Sequence, residues 1–218
     1  DLNVLQVIDV HDPPNAALKG SATTSAWGVA VSGDYAYVAA LDSGLRVIDI
    51  SDPLAPRLVG FCSTDWALGV AVSGGYAYVA DQFSGLRVID VSDPALPAET
   101  GVYTTPLYPE GVAVSGTLAY VADYQGLHIA DVSDPAHPAH VGFYDAPSTA
   151  YGVTVSGTYA YVADGSSGLR IVNVSNPAGP TQAGFLDTPG FAHDVSVAGA
   201  YAYVADDSQG LRILKVAN

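Results

Sequence analysis

A block reading Gly-Val-Ala-Val-Ser-Gly, then Tyr-Ala-Tyr-Val-Ala-Asp, then Gly-Leu-Arg-Val-Ile-Asp-Val-Ser-Asp-Pro returns every 41 or 42 residues along this chain. Its starting position falls at Gly28, Gly69, Gly111, Gly152 and Asp194, which makes five copies. A recurrence of this length, built from short apolar runs, predicts a propeller in which each copy is one blade. A single blade cannot bury its own faces, so neighbours must stack. Residues common to all copies therefore build blades, and function is to be sought where the copies differ.

Each copy carries four runs, named here strands a to d. In the second copy they are Gly69-Val-Ala-Val, Tyr76-Ala-Tyr-Val-Ala, Leu86-Arg-Val-Ile-Asp-Val91 and Glu99-Thr-Gly-Val-Tyr103. Val, Ile and Tyr dominate, and Ser-Gly, Ser-Gly-Leu and Asp-Pro punctuate them, so strands are favoured over helices. Strands a and b are apolar without alternation, as expected for sheets covered on both faces. Small residues at Ala36, Ala77, Ala119, Ala160 and Ala202 in strand b would let blades approach closely. The Ser-Gly pairs between a and b suit tight hairpins with positive φ. The Asp-Pro pairs after strand c suit turns held by an Asx hydrogen bond.

The expected fold is therefore all-β: a five-bladed β-propeller of four-stranded antiparallel blades, in a single domain over residues 1–218. Strand c occurs six times, from Val4–Val10 to Leu211–Val216, whereas a, b and d each occur five times. Residues 1–27 are accordingly expected to complete the last blade, with a d strand near Ala17–Thr24 clasping the blade opened by Asp194. One terminal c strand is then surplus, and it either lies outside the ring or pairs with a second molecule. The chain is thus expected to be a monomer or an oligomer formed by strand exchange.

Composition narrows the function classes. Seven Lys and Arg against 22 Asp and Glu give a net charge of −15, which repels phosphate backbones, so nucleic acid is not an expected partner. Of the acids only Glu99 and Glu110 are Glu, and the preponderance of Asp is that of a turn-rich β protein. No apolar stretch is long enough to span a bilayer, so no membrane insertion is expected. The single Cys62 has no partner for a bridge within the chain and reads as a buried, inert thiol.

Strand c with its following turn, as in Leu45-Arg-Val-Ile-Asp-Ile-Ser-Asp-Pro53, resembles the LVIVD-repeat family of β-propellers, and the a and b strands also resemble NHL-type blades. The resemblance covers nearly the whole chain. It implies a propeller, often in exported or surface proteins of prokaryotes, and it implies no shared ligand or reaction.

In an up-and-down blade the d-to-a and b-to-c loops share one face, and on that face the copies vary. Immediately before strand a stand Trp27, Leu68, Glu110, Tyr151 and His193, expected as a ring around the channel mouth. Trp66, Tyr108 and Phe191 lie two positions earlier in their copies, and the b-to-c loops add Phe83 and Tyr124. Aromatic surface beside Glu110, His193 and tyrosine hydroxyls suits a sugar, a peptide or a small amphipathic ligand. The alternative is that these side chains simply plug the channel.

Other patterns carry less. Asp81, Asp123, Asp164 and Asp206 end strand b, with Asp42 and Asp207 nearby, and could be read as calcium ligands. One Asp per blade more readily caps its own hairpin, so no cofactor is expected. Arg46, Arg87, Arg170 and Arg212, replaced by His128 in the third blade, are expected to pair with neighbouring acids. His137 and His140 have H-x-x-H spacing, but Pro138 excludes a helix and they read as surface-loop residues. Asn173-Val-Ser175 fits a glycosylation sequon but sits at the repeat's Asp position. A hydrolase would draw on Glu110, His193 and Asp194, which form no convincing catalytic set. The reading is a non-catalytic interaction module for a protein, peptide or carbohydrate, with a purely structural scaffold as the alternative and a lectin-like binder or hydrolase as a minor one.

Overall fold

The computed structural model describes residues 4–216. The expected domain ends, residues 1–3 and 217–218, lie outside the described residues. Strands β1 (Val4–Asp9) and β2 (Ala17–Thr23) form a hairpin. Blade 1 follows as β3 (Gly28–Ser32), β4 (Tyr35–Ala39), β5 (Leu45–Asp49) and β6 (Arg57–Cys62). Blade 2 comprises β7 (Ala67–Ser73), β8 (Tyr76–Asp81), β9 (Gly85–Asp90) and β10 (Ala98–Tyr103). Blade 3 comprises β11 (Pro109–Ser115), β12 (Leu118–Asp123), β13 (Gly126–Asp131) and β14 (Ala139–Asp145). Blade 4 comprises β15 (Gly152–Ser156), β16 (Tyr159–Ala163), β17 (Leu169–Asn173) and β18 (Thr181–Leu186), and blade 5 comprises β19 (Asp194–Ala198), β20 (Tyr201–Ala205) and β21 (Leu211–Lys215). Every pairing is antiparallel and sequential, so the molecule is a five-bladed β-propeller without α-helix among the described residues.

Turn chemistry follows the repeat. Gly33, Gly74, Gly116 and Gly157 take φ near +60° between strands a and b, which spares them the Cβ clash an ordinary residue would meet. After strand c, Asp52, Asp93 and Asp134 accept the backbone N–H two residues on, at 3.0 to 3.1 Å. The strand-c acids do the same to the following Ser. Asp49 accepts both Ser51 N–H at 3.0 Å and Ser51 Oγ at 2.6 Å, and it also takes Arg57 Nη2 at 2.7 Å. Asn173 occupies this place in blade 4 and accepts Ser175 N–H at 2.9 Å, a structural use for the sequon asparagine.

Close backbone approach holds the blades together. A Cβ on Gly28 would lie 2.5 Å from Leu68 O, one on Gly69 2.7 Å from Glu110 O, and one on Gly111 2.4 Å from Tyr151 O. Strand a of each blade thus lies flush against the next blade's entry loop. Farther out, a Cβ on Gly60, Gly101 or Gly142 would meet the carbonyl oxygen of Pro94, Pro135 or Pro177 in the following blade at 2.1 to 2.3 Å. The strand-b alanines are buried between blades, as their size predicts. Apolar clusters straddle each junction, for example Leu127 and Ile129 of blade 3 with Val153 and Val162 of blade 4.

The N-terminal segment extends this pattern. Gly20 of β2 sits over Pro53 O, 2.4 Å from where its Cβ would be, so the hairpin docks on blade 1 as the outer half of a preceding blade would. Leu5 and Ala22 cover Val38 and Ile48 there. The expected strand at residues 17–24 is present, but its hydrogen-bonded partner is β1 and not β21, and blade 5 holds three strands. Charge runs in the same direction as this pairing. Lys19 Nζ pairs with Asp9 at 3.1 Å, whereas β21 carries Lys215 at the position corresponding to Asp9 and would set two ammonium groups together.

A seam results between blades 5 and 1. Leu211 and Ile213 are 62% and 59% exposed, although the equivalent Leu45, Leu86 and Leu127 are wholly buried. Gly184 of β18 has no proline carbonyl over it among the described residues and meets only Ile171. Asp194, the one strand-a start that is not glycine, belongs to the blade with no flush neighbour ahead of it, which explains how a side chain is accommodated there.

Two outcomes follow. Gly142→Ala should destabilise the protein by on the order of 1–3 kcal/mol through overpacking against Pro177, while Gly184→Ala, with only Ile171 in ordinary contact, should be near neutral; equal changes in melting temperature would contradict this packing. Separately, hydrogen bonds from Ser51 and Arg57 hold Asp49 down to a pKa of about 2, against 3.8 for a free side chain. Its stabilising contribution is complete above about pH 4 and is lost as pH falls toward 2. Urea midpoints measured from pH 6 to pH 2 should therefore fall less steeply in Asp49→Asn than in the parent chain.

Candidate functional site

The ends of strand b set up the variable face. Asp81 is completely buried and accepts Asp65 N–H at 2.8 Å, Trp66 N–H at 3.0 Å and Arg87 Nε at 2.9 Å. Asp164 takes Ser148 N–H and Arg170 Nε, and Asp206 takes Gly190 N–H and Arg212 Nε. In these blades one carboxylate therefore fixes both the d-to-a loop and the strand-c arginine. Blade 3 substitutes His128, whose Nε2 lies 3.0 Å from Asp123 Oδ2. Blade 1 departs from the expectation: Ala40 stands where the others have Asp, and Arg46 keeps only the ring contact, 5.1 Å over Phe61, that Arg170 also makes with Phe185 at 4.9 Å. Asp81, Asp164 and Asp206 are thus engaged by their own blades, and no group of three potential metal ligands occurs among the described residues.

The remaining minor candidates also find places. Cys62 is half-buried rather than fully buried, because blade 1's outer strand leaves it at the edge of its cluster, and burial pushes its thiol pKa up. His137 sits on an exposed turn with Asp134 at 3.0 Å. His140 is not a loop residue: it lies on β14, and its Nδ1 is 2.9 Å from the Tyr103 hydroxyl of blade 2.

At the channel mouth a cavity of about 800 Å³ is bordered by all five blades. The five residues before strand a, Trp27, Leu68, Glu110, Tyr151 and His193, all line it, together with Trp66. Two local devices deliver them. In blades 2 and 3 the register slips between Ala67 and Gly69 and between Pro109 and Gly111, so Leu68 and Glu110 are bulge residues freed from the ladder. In blades 1, 4 and 5 the N–H of Trp27, Tyr151 and His193 bonds to the carbonyl of Ala39, Ala163 and Ala205 at 2.9 Å.

Tyr108, Phe191, Phe83 and Tyr124 stand along the rim. Their rings join Trp66 and Tyr151 in a continuous arc, edge to face except for the tilted Tyr124–Tyr151 pair: Trp66 to Phe83 6.4 Å, Phe83 to Tyr108 6.1 Å, Tyr108 to Tyr124 5.4 Å, Tyr124 to Tyr151 6.3 Å, and Tyr151 to Phe191 5.2 Å. His193 continues it, 5.0 Å from Phe191 and 5.5 Å from Tyr151. Trp27 stands apart from the arc, largely exposed beside the seam.

Two carboxyls face the channel. Burial raises the pKa of Glu110, opposed by hydrogen bonds from Gln82, at 3.3 Å, and Tyr124. Desolvation raises Asp194 also, partly offset by Val195 N–H at 2.8 Å; its side chain is open to the channel, so the surrounding wall rather than direct packing causes the shift. The Tyr124 and Tyr151 hydroxyls are raised by desolvation and by the nearby Glu110 charge. Gln82 was not among the sequence candidates. Its only signal is variation, since Leu41, Tyr124, Gly165 and Asp207 hold the matching place after strand b.

The LVIVD repeat model matches residues 25–64, 66–105, 108–146, 148–188 and 189–218, one match per blade. No curated protein matches the chain. Among solved structures, a functionally unknown protein from Desulfotomaculum acetoxidans DSM 771 is similar over 98% of this chain and 72% of its own, at 14% identity and a TM-score of 0.80. The computationally designed protein Ika8 is similar over 99% of this chain and 69% of its own, at 7% identity and a TM-score of 0.72. The designed Ika4 aligns over 68% of this chain and 89% of its own, at 7% identity and a TM-score of 0.55. These structural likenesses speak for the fold alone, whereas the sequence match extends through every blade: the chain belongs to the LVIVD repeat family.

Proposed function

We propose that this propeller is a non-catalytic binding module that takes a ligand at the channel mouth of its variable face. The observation that carries the reading is a cavity of about 800 Å³ lined by Trp27, Trp66, Tyr151 and His193, positions at which the copies differ, with Phe83, Tyr108, Tyr124 and Phe191 extending the aromatic arc beyond its lining. Its rings are not spent wholly on one another, for Phe83 is 64% exposed and Tyr108 45%. Such faces, beside a few convergent polar groups, are the usual make-up of a small-molecule or peptide site. The non-catalytic reading is supported by His193, which lies against the rings of Tyr151 and Phe191, and by Glu110, whose hydrogen bonds run to Gln82 and Tyr124. The edge-to-face interlocking of the rim favours the scaffold reading, in which the arc serves as a plug. An exported or cell-surface setting is part of the proposal and rests on the family alone.

Both Trp residues border the cavity, so occupancy should change their emission. Titration with a panel of oligosaccharides, oligopeptides and small amphipathic molecules should give a saturable change for at least one member. Tyr151→Ala should weaken that response by roughly tenfold or more, the loss typical of a buried aromatic anchor, without lowering the melting temperature comparably. A flat response across the panel would leave the scaffold.

A further inference from the structure

All seven Lys and Arg side chains have places in the fold, and none borders the cavity. Lys19 and Arg57 pair with Asp9 and Asp49; Arg87, Arg170 and Arg212 serve the strand-b aspartates; Arg46 lies over Phe61; and Lys215 ends β21. The cavity is therefore lined by two carboxyls, the part-buried Glu110 and the exposed Asp194, with no Lys or Arg among its lining residues. Burial raises the pKa of Glu110, and the surrounding channel wall raises that of Asp194, with no cation beside either to offset it.

Ring faces add to the same field. Trp27, Trp66 and Tyr151 border the space, and an aromatic face is the negative side of its quadrupole. Hydration separates the kinds of cation. Glu110 receives Gln82 and Tyr124 and Asp194 receives Val195 N–H, so both carboxylates keep acceptor sites open. A primary ammonium is strongly hydrated through its three N–H donors and gives up that water on entering. A fully alkylated ammonium brings none, is weakly hydrated, and gains from ring faces and unpaired carboxylates alike.

We infer that the channel mouth recognises a quaternary ammonium group, held by the ring faces of Trp27, Trp66 and Tyr151 and neutralised by Glu110 and Asp194. This rests on the binding-module reading above and names its ligand class. It also accords with the chain's net charge of −15, which would draw a cation toward the face.

Choline and its uncharged carbon isostere 3,3-dimethylbutan-1-ol have the same shape and differ in charge, so they isolate the electrostatic part. Calorimetric titration of the intact chain should give choline an affinity at least tenfold above that of the isostere. Glu110→Gln should reduce choline binding several-fold and leave the isostere unchanged, and Asp194→Asn should act in the same direction. Ethanolamine, which carries N–H donors, should bind more weakly than choline. Equal affinity for choline and the isostere, or ethanolamine binding as tightly as choline, would overturn the inference. If choline fails while a neutral oligosaccharide or peptide saturates the tryptophan response, the ligand class is wrong and the binding module stands. If nothing in either set binds, both fall.

Discussion

Backbone laid against backbone at the junction of neighbouring blades is the constraint on which the rest of this propeller depends. At Gly28, Gly69 and Gly111 the next blade's carbonyl occupies the space a Cβ would need, and at Gly60, Gly101 and Gly142 a proline carbonyl does the same farther from the axis. Hydrophobic burial supplies the drive, since an isolated four-stranded blade leaves two apolar faces in water. The glycines decide how near the faces can come. That proximity gathers five strand-a starts around one channel, and so it creates the mouth where side chains from every blade meet.

Burying one aspartate per blade serves the same end on the variable face. Asp81, Asp164 and Asp206 are completely buried, a costly state for a carboxylate unless its lone pairs are filled. Each is filled from two directions, by the N–H groups of the d-to-a loop and by the strand-c arginine. In blades 2, 4 and 5 the loop before strand a is thereby tied to the blade's own body. Rim residues can then vary in type without losing position, which is the condition for a recognition surface on a rigid scaffold.

The seam shows what happens where the repeated contacts stop. Among the described residues blade 5 has three strands, Leu211 and Ile213 are exposed, and no carbonyl overlies Gly184. The first hairpin follows the rule of the other blades on its inner side, with Gly20 against Pro53, and breaks it on the outer side, where Asp9 and Lys19 keep β1 and β2 together. Lys215 stands where the repeat has its acid, on the strand that β2 leaves unpaired.

Periodicity alone determined the number of blades, the order and type of strands, the Ser-Gly hairpins and the Asx turns, because these depend on local backbone preferences that each copy states anew. It also pointed to the five positions before strand a, since variation against an otherwise constant repeat is visible without coordinates. Other features were decided only by tertiary structure. Gln82 reaches Glu110 from a loop 28 residues earlier in the chain, the rim rings of neighbouring blades meet at Phe83 with Tyr108 and at Tyr124 with Tyr151, and Arg46 lies over Phe61. The choice of β1 over β21 as the partner of β2 belongs to the same class. Each is a contact between groups distant in sequence, and the spacing of a repeat carries no information about which of two equivalent edges, or which of several nearby charges, lies closer in space.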